Sequence, residues 1–167
     1  KISGKVSATH GFFRDVTKRK AAEAQIRRNL EIQSIINRLL SLSLETLEFD
    51  EILSLSLDLI ISLPHFVFEE KGCIFLMDQD SQSLVLSAYK RQSSEEVGHF
   101  RTVELNQCLC GKAAVGQKIL FADSDDDRHD IRWEGMLPHG HCCVPIVMSG
   151  RTLGVLNLFL KPGHLCE

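Results

Sequence analysis

The hydrophobic pattern of the chain changes from helical to strand-like after Leu63. From Lys18 to Leu63 there is no glycine or proline, and apolar residues recur at intervals of three and four. This spacing predicts two helices, separated by a break near residues 46–49. Beyond Pro64, short apolar runs alternate with polar turns, which is typical of strands. We expect strands over 72–78, 83–91, 99–105, 118–123, 142–148 and 151–160, with a short helix over 107–117.

This order of elements predicts an α+β fold in which helices pack on an antiparallel sheet. The chain has 167 residues, 44% hydrophobic content and a net charge of -3, as an ordinary globular domain does, and the charge argues against a nucleic-acid partner. The longest apolar run, 52–63, is shorter than the ~20 residues that a bilayer span requires, so we expect no membrane segment. With no secretory segment, we expect the six cysteines to be reduced and the protein to be cytoplasmic.

The first predicted helix carries a possible pairing surface. Ile32, Ile35, Leu39 and Leu42 follow the 3, 4, 3 spacing of coiled-coil a and d positions. This pattern predicts a homodimer through the N-terminal helix. The alternative is an amphipathic helix that folds back on its own domain, because two heptads are too few to establish a coiled coil.

Two short segments, "CLCG" (108–111) and "PHGHCCVP" (138–145), concentrate cysteine and histidine. On a strand His141 and Cys143 share a face, and a helix start stabilises thiolates such as those of Cys108 and Cys110. The candidate ligand-binding residues are Cys108, Cys110, His129, Trp133, His139, His141 and Cys143. His139, His141 and Cys110 are the candidate metal ligands, and a haem would need only one or two axial ligands. The alternative is that the cysteines are small buried apolar residues and the histidines lie in loops.

The acidic loop that follows the fourth predicted strand resembles a calcium-binding loop in part. Asp123, Asp125, Asp127 and Glu134 occupy positions 1, 3, 5 and 12 of such a loop. Position 6 requires a glycine for the sharp turn, and Arg128 stands there. A solvated loop at the mouth of a pocket is therefore the better interpretation.

Two family resemblances cover most of the chain. "GFFRDVTKRKAAE" resembles the end of a PAS domain, which assigns 1–17 to the C-terminal edge of that domain and 18–46 to a signalling helix. "GCIFLMD", "CLCGKAAVGQKILFAD" and "CCVPIVMSGRTLGVLNLFL" are similar to GAF domains, which assigns 47–167 to a GAF sensory domain. This resemblance implies a six-stranded antiparallel sheet flanked by helices, with a ligand pocket beside the segment 105–145. The family's C-terminal helix is expected beyond Glu167.

The same resemblance implies the input half of a sensor histidine kinase or of a similarly built signalling protein. We expect this part to bind a small molecule or an unidentified cofactor, with haem or a metal among the possibilities, and to relay to an output kinase domain. It is not expected to be an enzyme itself, since it contains no kinase histidine box and no glycine-rich nucleotide loop. One alternative is a ligand-free dimerisation module. Another is a thiol enzyme resembling free methionine sulfoxide reductase, whose Cys-Gly pattern Cys110 matches, although residues 126–137 contain no cysteine.

Overall fold

The computed structural model describes residues 16–63, 68–124 and 126–163. Its elements, in chain order, are α1 (Thr17–Leu42), α2 (Phe49–Ile61), β1 (Phe68–Asp78), β2 (Ser83–Lys90), α3 (Ser94–His99), β3 (Thr102–Glu104), α4 (Cys108–Gly116), β4 (Leu120–Ala122), β5 (Gly140–Met148) and β6 (Arg151–Leu160). The predicted PAS edge at 1–17 lies almost entirely outside the described residues.

The strands form one six-stranded sheet in the order β3-β2-β1-β6-β5-β4, and every neighbouring pair is antiparallel. The last strand, β6, therefore lies in the middle of the sheet, between β1 and β5. Helix α2 packs on β1 and β2, whereas α4 packs on β5 and β6. The predicted α+β fold, with a six-stranded antiparallel sheet, flanking helices and a long N-terminal helix, is confirmed.

Alternation along the central strands divides the interior into two apolar clusters. On β1, Cys73 and Phe75 pack in the cluster with α4, while Ile74 packs with Leu57 of α2 in the other. On β5, Cys143 packs in the cluster with α4, and Cys142 packs against the cluster with α2. Full burial of a side chain such as Phe75 or Leu57 stabilises the fold by about 1.5–3 kcal/mol. The candidate site lies within the α4 cluster.

The predicted strand over 99–105 was too long. Only Thr102–Glu104 is strand, and the preceding Ser94–His99 is helix α3. This helix begins with a capping box: Ser93 Oγ accepts from the Glu96 N–H at 3.1 Å, and the Glu96 carboxylate accepts from the Ser93 N–H at 2.7 Å. The Ser-x-x-Glu spacing that specifies such a cap is visible in the sequence, but no apolar run marks so short a helix.

Helix α1 buries none of its residues. The predicted pairing positions Ile32, Ile35, Leu39 and Leu42 are half-buried, and α1 contacts α2. A different apolar row of α1 is exposed to solvent: the side chains of Ile26, Leu30 and Leu40 are 59%, 66% and 61% exposed. None of the helices in the described ranges is long and apolar enough to cross a membrane.

Candidate functional site

A cavity of about 40 Å³ lies between the α4 face of the sheet and the segment that joins β4 to β5. A volume of this size admits two or three water molecules or a small ligand. Most of its wall is apolar or aromatic. The lining residues are Phe75, Phe100, Val103, Cys108, Leu109, Cys110, His129, Ile131, Trp133, His139, His141, Asn157 and Phe159.

Three histidines converge on one side of this cavity. His141 lies on β5 and His139 directly precedes that strand, while His129 comes from the loop after β4. All three are buried, and one ring nitrogen from each lies within 4.8 Å of the others. Gly140, between His139 and His141, allows the start of β5 to lie close to β4, since a Cβ at that position would lie 2.7 Å from the Ala122 carbonyl oxygen.

Hydrogen bonds fix the orientation of two of the rings. His141 Nδ1 lies 3.0 Å from Asn157 Oδ1, and His139 Nδ1 lies 2.6 Å from the Leu137 carbonyl oxygen. Because both oxygens can only accept, both Nδ1 atoms carry the proton. The Nε2 lone pair of each ring is therefore directed to another partner. For His141 that partner is His129 Nε2, which lies at 2.8 Å and therefore donates.

Burial keeps His141 neutral. Desolvation, as the largest cause, and the neighbouring His139 and His129 together lower the pKa of the His141 imidazole to about 3, against the hydrogen bond to Asn157. A second proton would give this ring a positive charge, which is unfavourable in a mostly apolar cavity. The His141 ring is therefore neutral, which is the form of imidazole that binds metal ions.

The start of α4 is tied to the loop segment that carries His129. The Cys108 Sγ accepts from the N–H groups of Asp130, at 3.1 Å, and Ile131, at 2.9 Å. In return Asp130 Oδ2 accepts from the Cys108 N–H at 2.6 Å and from Lys112 Nζ at 2.9 Å. Desolvation raises the pKa of the Cys108 thiol although these hydrogen bonds oppose it. A shift of the His129 segment would therefore be transmitted to α4.

Cys110 lines the cavity but does not belong to the group of three imidazoles. Its Sγ lies 3.5 Å from that of Cys143, and the Cys143 thiol donates to Asn157 Oδ1 at 3.5 Å. Both cysteines are buried, and Cys143 lies in the core rather than on the cavity wall. Of the candidate metal ligands, the fold thus brings His139 and His141 together with His129 instead of Cys110.

Trp133 lines the cavity and packs against two aromatic rings. Its ring stacks on that of His99 at 5.0 Å between centroids and lies 6.1 Å from that of Phe100.

In the acidic loop after β4, Arg128 donates to the Asp126 carboxylate and, at 3.0 Å, to the Phe121 carbonyl oxygen. The guanidinium thus lies within the loop that partly matches a calcium site, while Asp125 falls outside the described residues.

Comparison with solved structures shows the same fold in several proteins. The GAF domain of an Acinetobacter phosphoenolpyruvate-protein phosphotransferase is 17% identical with a TM-score of 0.67, and the match covers 83% of this chain and 82% of that one. Free methionine-R-sulfoxide reductase from Neisseria meningitidis, solved with its substrate, is 17% identical with a TM-score of 0.63, and the match covers 81% of this chain and 76% of that one. A GAF domain from A. aeolicus in an inactive state is 15% identical with a TM-score of 0.64, and the match covers 82% of this chain and 83% of that one. At these identities the likeness concerns the fold alone.

The family is established by a separate match. No curated protein matches the chain in sequence. The family model of the GAF domain, however, matches residues 46–167, which include the whole sheet and the histidine cluster. The chain therefore belongs to the GAF domain family, whose members are small-molecule-binding regulatory modules.

Proposed function

We propose that this chain is a sensory module of a signalling protein, and that it binds a small ligand in the cavity beside His129, His139 and His141. One observation carries the proposal: three buried imidazoles converge on a partly open cavity whose wall is otherwise mostly apolar. Binding sites for small molecules have this character, with few polar groups on an apolar wall. The family provides the regulatory context.

The signal would leave the domain through the sheet and the N-terminal helices. Cys73 and Phe75 face the cavity side of β1, and Ile74 between them packs against α2, which in turn contacts α1. A ligand that binds two arrangements of these elements with different affinity would shift their equilibrium. Hydrogen exchange of α1 with and without ligand tests this route.

The output would be a histidine kinase domain of the same parent protein, and α1 would pair two copies of the chain. The exposed row of Ile26, Leu30 and Leu40 supports such pairing. Gln33 and Asn37 lie on the same row and share a hydrogen bond of 3.3 Å. A polar residue at one such position is a known means of fixing coiled-coil register. A cytoplasmic location is supported by the five described cysteines, all of which are free.

The test is to screen small organic acids and small inorganic anions, each with and without added Zn²⁺. Binding is followed through the fluorescence of Trp133, the single tryptophan, and through thermal stability. Hydrogen exchange of α1 is then compared with and without the ligand found. We expect a bound ligand to change exchange both at 126–141 and in α1.

Two results would overturn the proposal. If no compound in the panel raises the melting temperature, a ligand-free dimerisation module becomes the better account. If a ligand binds but exchange in α1 stays the same, the pocket is not linked to the helix. Loss of free thiols on incubation with methionine sulfoxide would instead indicate a thiol enzyme resembling free methionine sulfoxide reductase.

A further inference from the structure

We propose that His129, His139 and His141 form a binding site for one divalent first-row transition-metal ion, with an open coordination position facing the cavity. The inference deepens the proposed function and rests on it in one respect: the ion would be the group that contacts the small ligand.

The ring nitrogens are close to the separation that a shared ion requires. With metal–nitrogen bonds of 2.0–2.1 Å and tetrahedral angles, pairs of ligand nitrogens lie about 3.3 Å apart. In the structure the Nε2 atoms of His129 and His141 lie 2.8 Å apart, and all three ligand nitrogens lie within 4.8 Å. Small ring rotations, on the order of 1 Å at the nitrogens, would place them around one ion.

The second sphere is already arranged for coordination. A histidine that binds a metal through one nitrogen usually donates its other N–H to a carbonyl, carboxylate or similar acceptor, which fixes the tautomer. His139 donates Nδ1–H to the Leu137 carbonyl oxygen, and His141 donates Nδ1–H to Asn157 Oδ1. Both rings thus have Nε2 available as the ligand atom. Asn157 is itself held in the core, 3.5 Å from the Cys143 Sγ and 3.8 Å from the Cys73 Sγ.

The burial of the cluster supports a shared ligand. His129, His139 and His141 are only 8%, 7% and 6% exposed. If these rings served only to fill the core, apolar aromatic residues could take their place. Phe159 does so beside them, since its ring centroid lies 5.0 Å from those of both His139 and His141. Buried imidazoles bring a desolvation cost that a hydrogen-bonded pair offsets only in part, and a metal–nitrogen bond to each ring would offset it.

The donor set indicates the class of ion and of ligand. Imidazole nitrogens suit zinc, iron, cobalt, nickel or copper, whereas magnesium and calcium prefer oxygen. Three protein ligands leave a fourth position open, as in metal sites that exchange water for a substrate. Because three neutral imidazoles leave the full charge of the ion in an apolar cavity, we infer that the open position favours hydroxide or another small anion. The cavity of about 40 Å³ fits a ligand of that size.

The experiment is a titration of the chelator-treated chain with Co²⁺, followed by competition with Zn²⁺. We expect one Co²⁺ per chain, the visible absorption of a four- or five-coordinate ion, and no thiolate-to-cobalt charge-transfer band. The matched variants are His129→Gln in the cluster and His99→Gln outside it, where His99 is exposed and stacks on Trp133. Circular dichroism and the melting temperature without metal show whether each variant is folded.

The variants separate the possible outcomes. His129→Gln should lower Co²⁺ affinity more than about 100-fold, beyond the 10–100-fold loss expected for a second-sphere change such as Asn157→Leu. His99→Gln should bind as the parent chain does, and Cys110→Ala should still take up one Co²⁺ per chain. If His129→Gln cannot be folded, His139→Gln serves in its place.

The inference is overturned if the parent chain binds no Co²⁺, or if a folded His129→Gln variant binds as tightly as the parent. A thiolate charge-transfer band that disappears in Cys110→Ala would replace it with a site containing Cys110. If metal does not bind but a small ligand still alters α1, the proposed function survives without the ion. If metal binds but no ligand affects α1, the metal site survives without the sensory role.

Discussion

The Nε2 atoms of the buried residues His129 and His141 lie 2.8 Å apart, although the two histidines are twelve positions apart along the chain. The contact exists because the loop after β4 returns over the first residues of β5. Asp130, next to His129, also bonds the start of α4. A ligand that moved these two imidazoles would therefore act on a strand of the sheet and on a helix together.

Acid should destabilise the metal-free protein through His141. Its pKa in the fold is about 3, against about 6.5 unfolded, so between these values the unfolded chain binds a proton that the folded chain does not. Stability attributable to this ring is complete above pH 6.5 and is lost as pH falls toward 3. Between pH 6.5 and 5 the loss should reach about 2 kcal/mol.

Urea unfolding of chelator-treated protein at several pH values measures this effect. His129 and His139 face the same ring and are present in both proteins, so the difference between the parent chain and His141→Gln isolates the contribution of His141. The parent chain should lose stability relative to His141→Gln as pH falls from 6.5 toward 3, and the difference between them should be constant above pH 7. Parallel curves from pH 8 to 4 would show that this imidazole is not buried in its neutral form.

Helix α4 can approach the turn after β3 only because residue 111 is glycine. A Cβ there would lie 2.2 Å from the Glu104 carbonyl oxygen and 3.0 Å from the Asn106 nitrogen, both in the backbone. Gly111→Ala should therefore displace α4 and lower the free energy of unfolding by about 1–3 kcal/mol, the usual cost of overpacking. Denaturant unfolding of the purified variant measures the change.

Gly116, in the same helix, is the matched control. It is exposed, and a Cβ added there would have no neighbouring atom within 4 Å, so Gly116→Ala should be neutral or stabilising by up to about 1 kcal/mol. Equal effects of the two substitutions would mean that helix propensity, not the contact with Glu104, governs position 111.

The core thiols should resist alkylation. Cys73 and Cys143 are fully buried, desolvation and nearby thiols raise the pKa of both, and the hydrogen bond with Cys110 raises that of Cys143 most. The thiolate is the reactive form, so iodoacetamide should label these two only after unfolding, while the half-buried Cys142 reacts sooner. Peptide mass spectrometry at successive times measures the order. Rapid labelling of Cys110 or Cys143 in folded protein would favour the thiol enzyme.

Charge on the exposed face of α1 should prevent dimerisation. Leu30→Glu places a carboxylate in the open row of Ile26, Leu30 and Leu40, where it would repel its counterpart in a second copy. Ala24→Glu adds the same charge on the opposite side of the helix. Light scattering over a concentration series should give a dimer for the parent chain and for Ala24→Glu, and a monomer for Leu30→Glu. A parent chain that remains monomeric would remove the pairing role of α1.

The sheet was predictable because its signals are local. Alternating runs between polar turns locate β1, β2, β5 and β6, and the glycine-free stretch before Pro64 locates α1 and α2. The short β3 and α3 were less accessible, since three and six residues provide too little periodicity. The exposed row of α1 was also missed, because the sequence does not determine which of two apolar rows α2 covers.

The composition of the histidine cluster could be predicted only in part. His139 and His141 are two residues apart at the start of a strand, so their shared face follows from strand geometry. His129 lies in an irregular loop whose path depends on Asp130 bonding to the Cys108 N–H, a contact across 22 residues. Cys110 has suitable chemistry, but the fold directs it to Cys143.

The most direct test of the account is an anomalous diffraction experiment at the zinc edge on crystals grown with Zn²⁺ and no chelator. The account predicts one strong anomalous peak per chain in the cavity, 2.0–2.1 Å from a nitrogen of each of His129, His139 and His141. A map without a peak there, with His129 Nε2 still hydrogen-bonded to His141 Nε2, would contradict it.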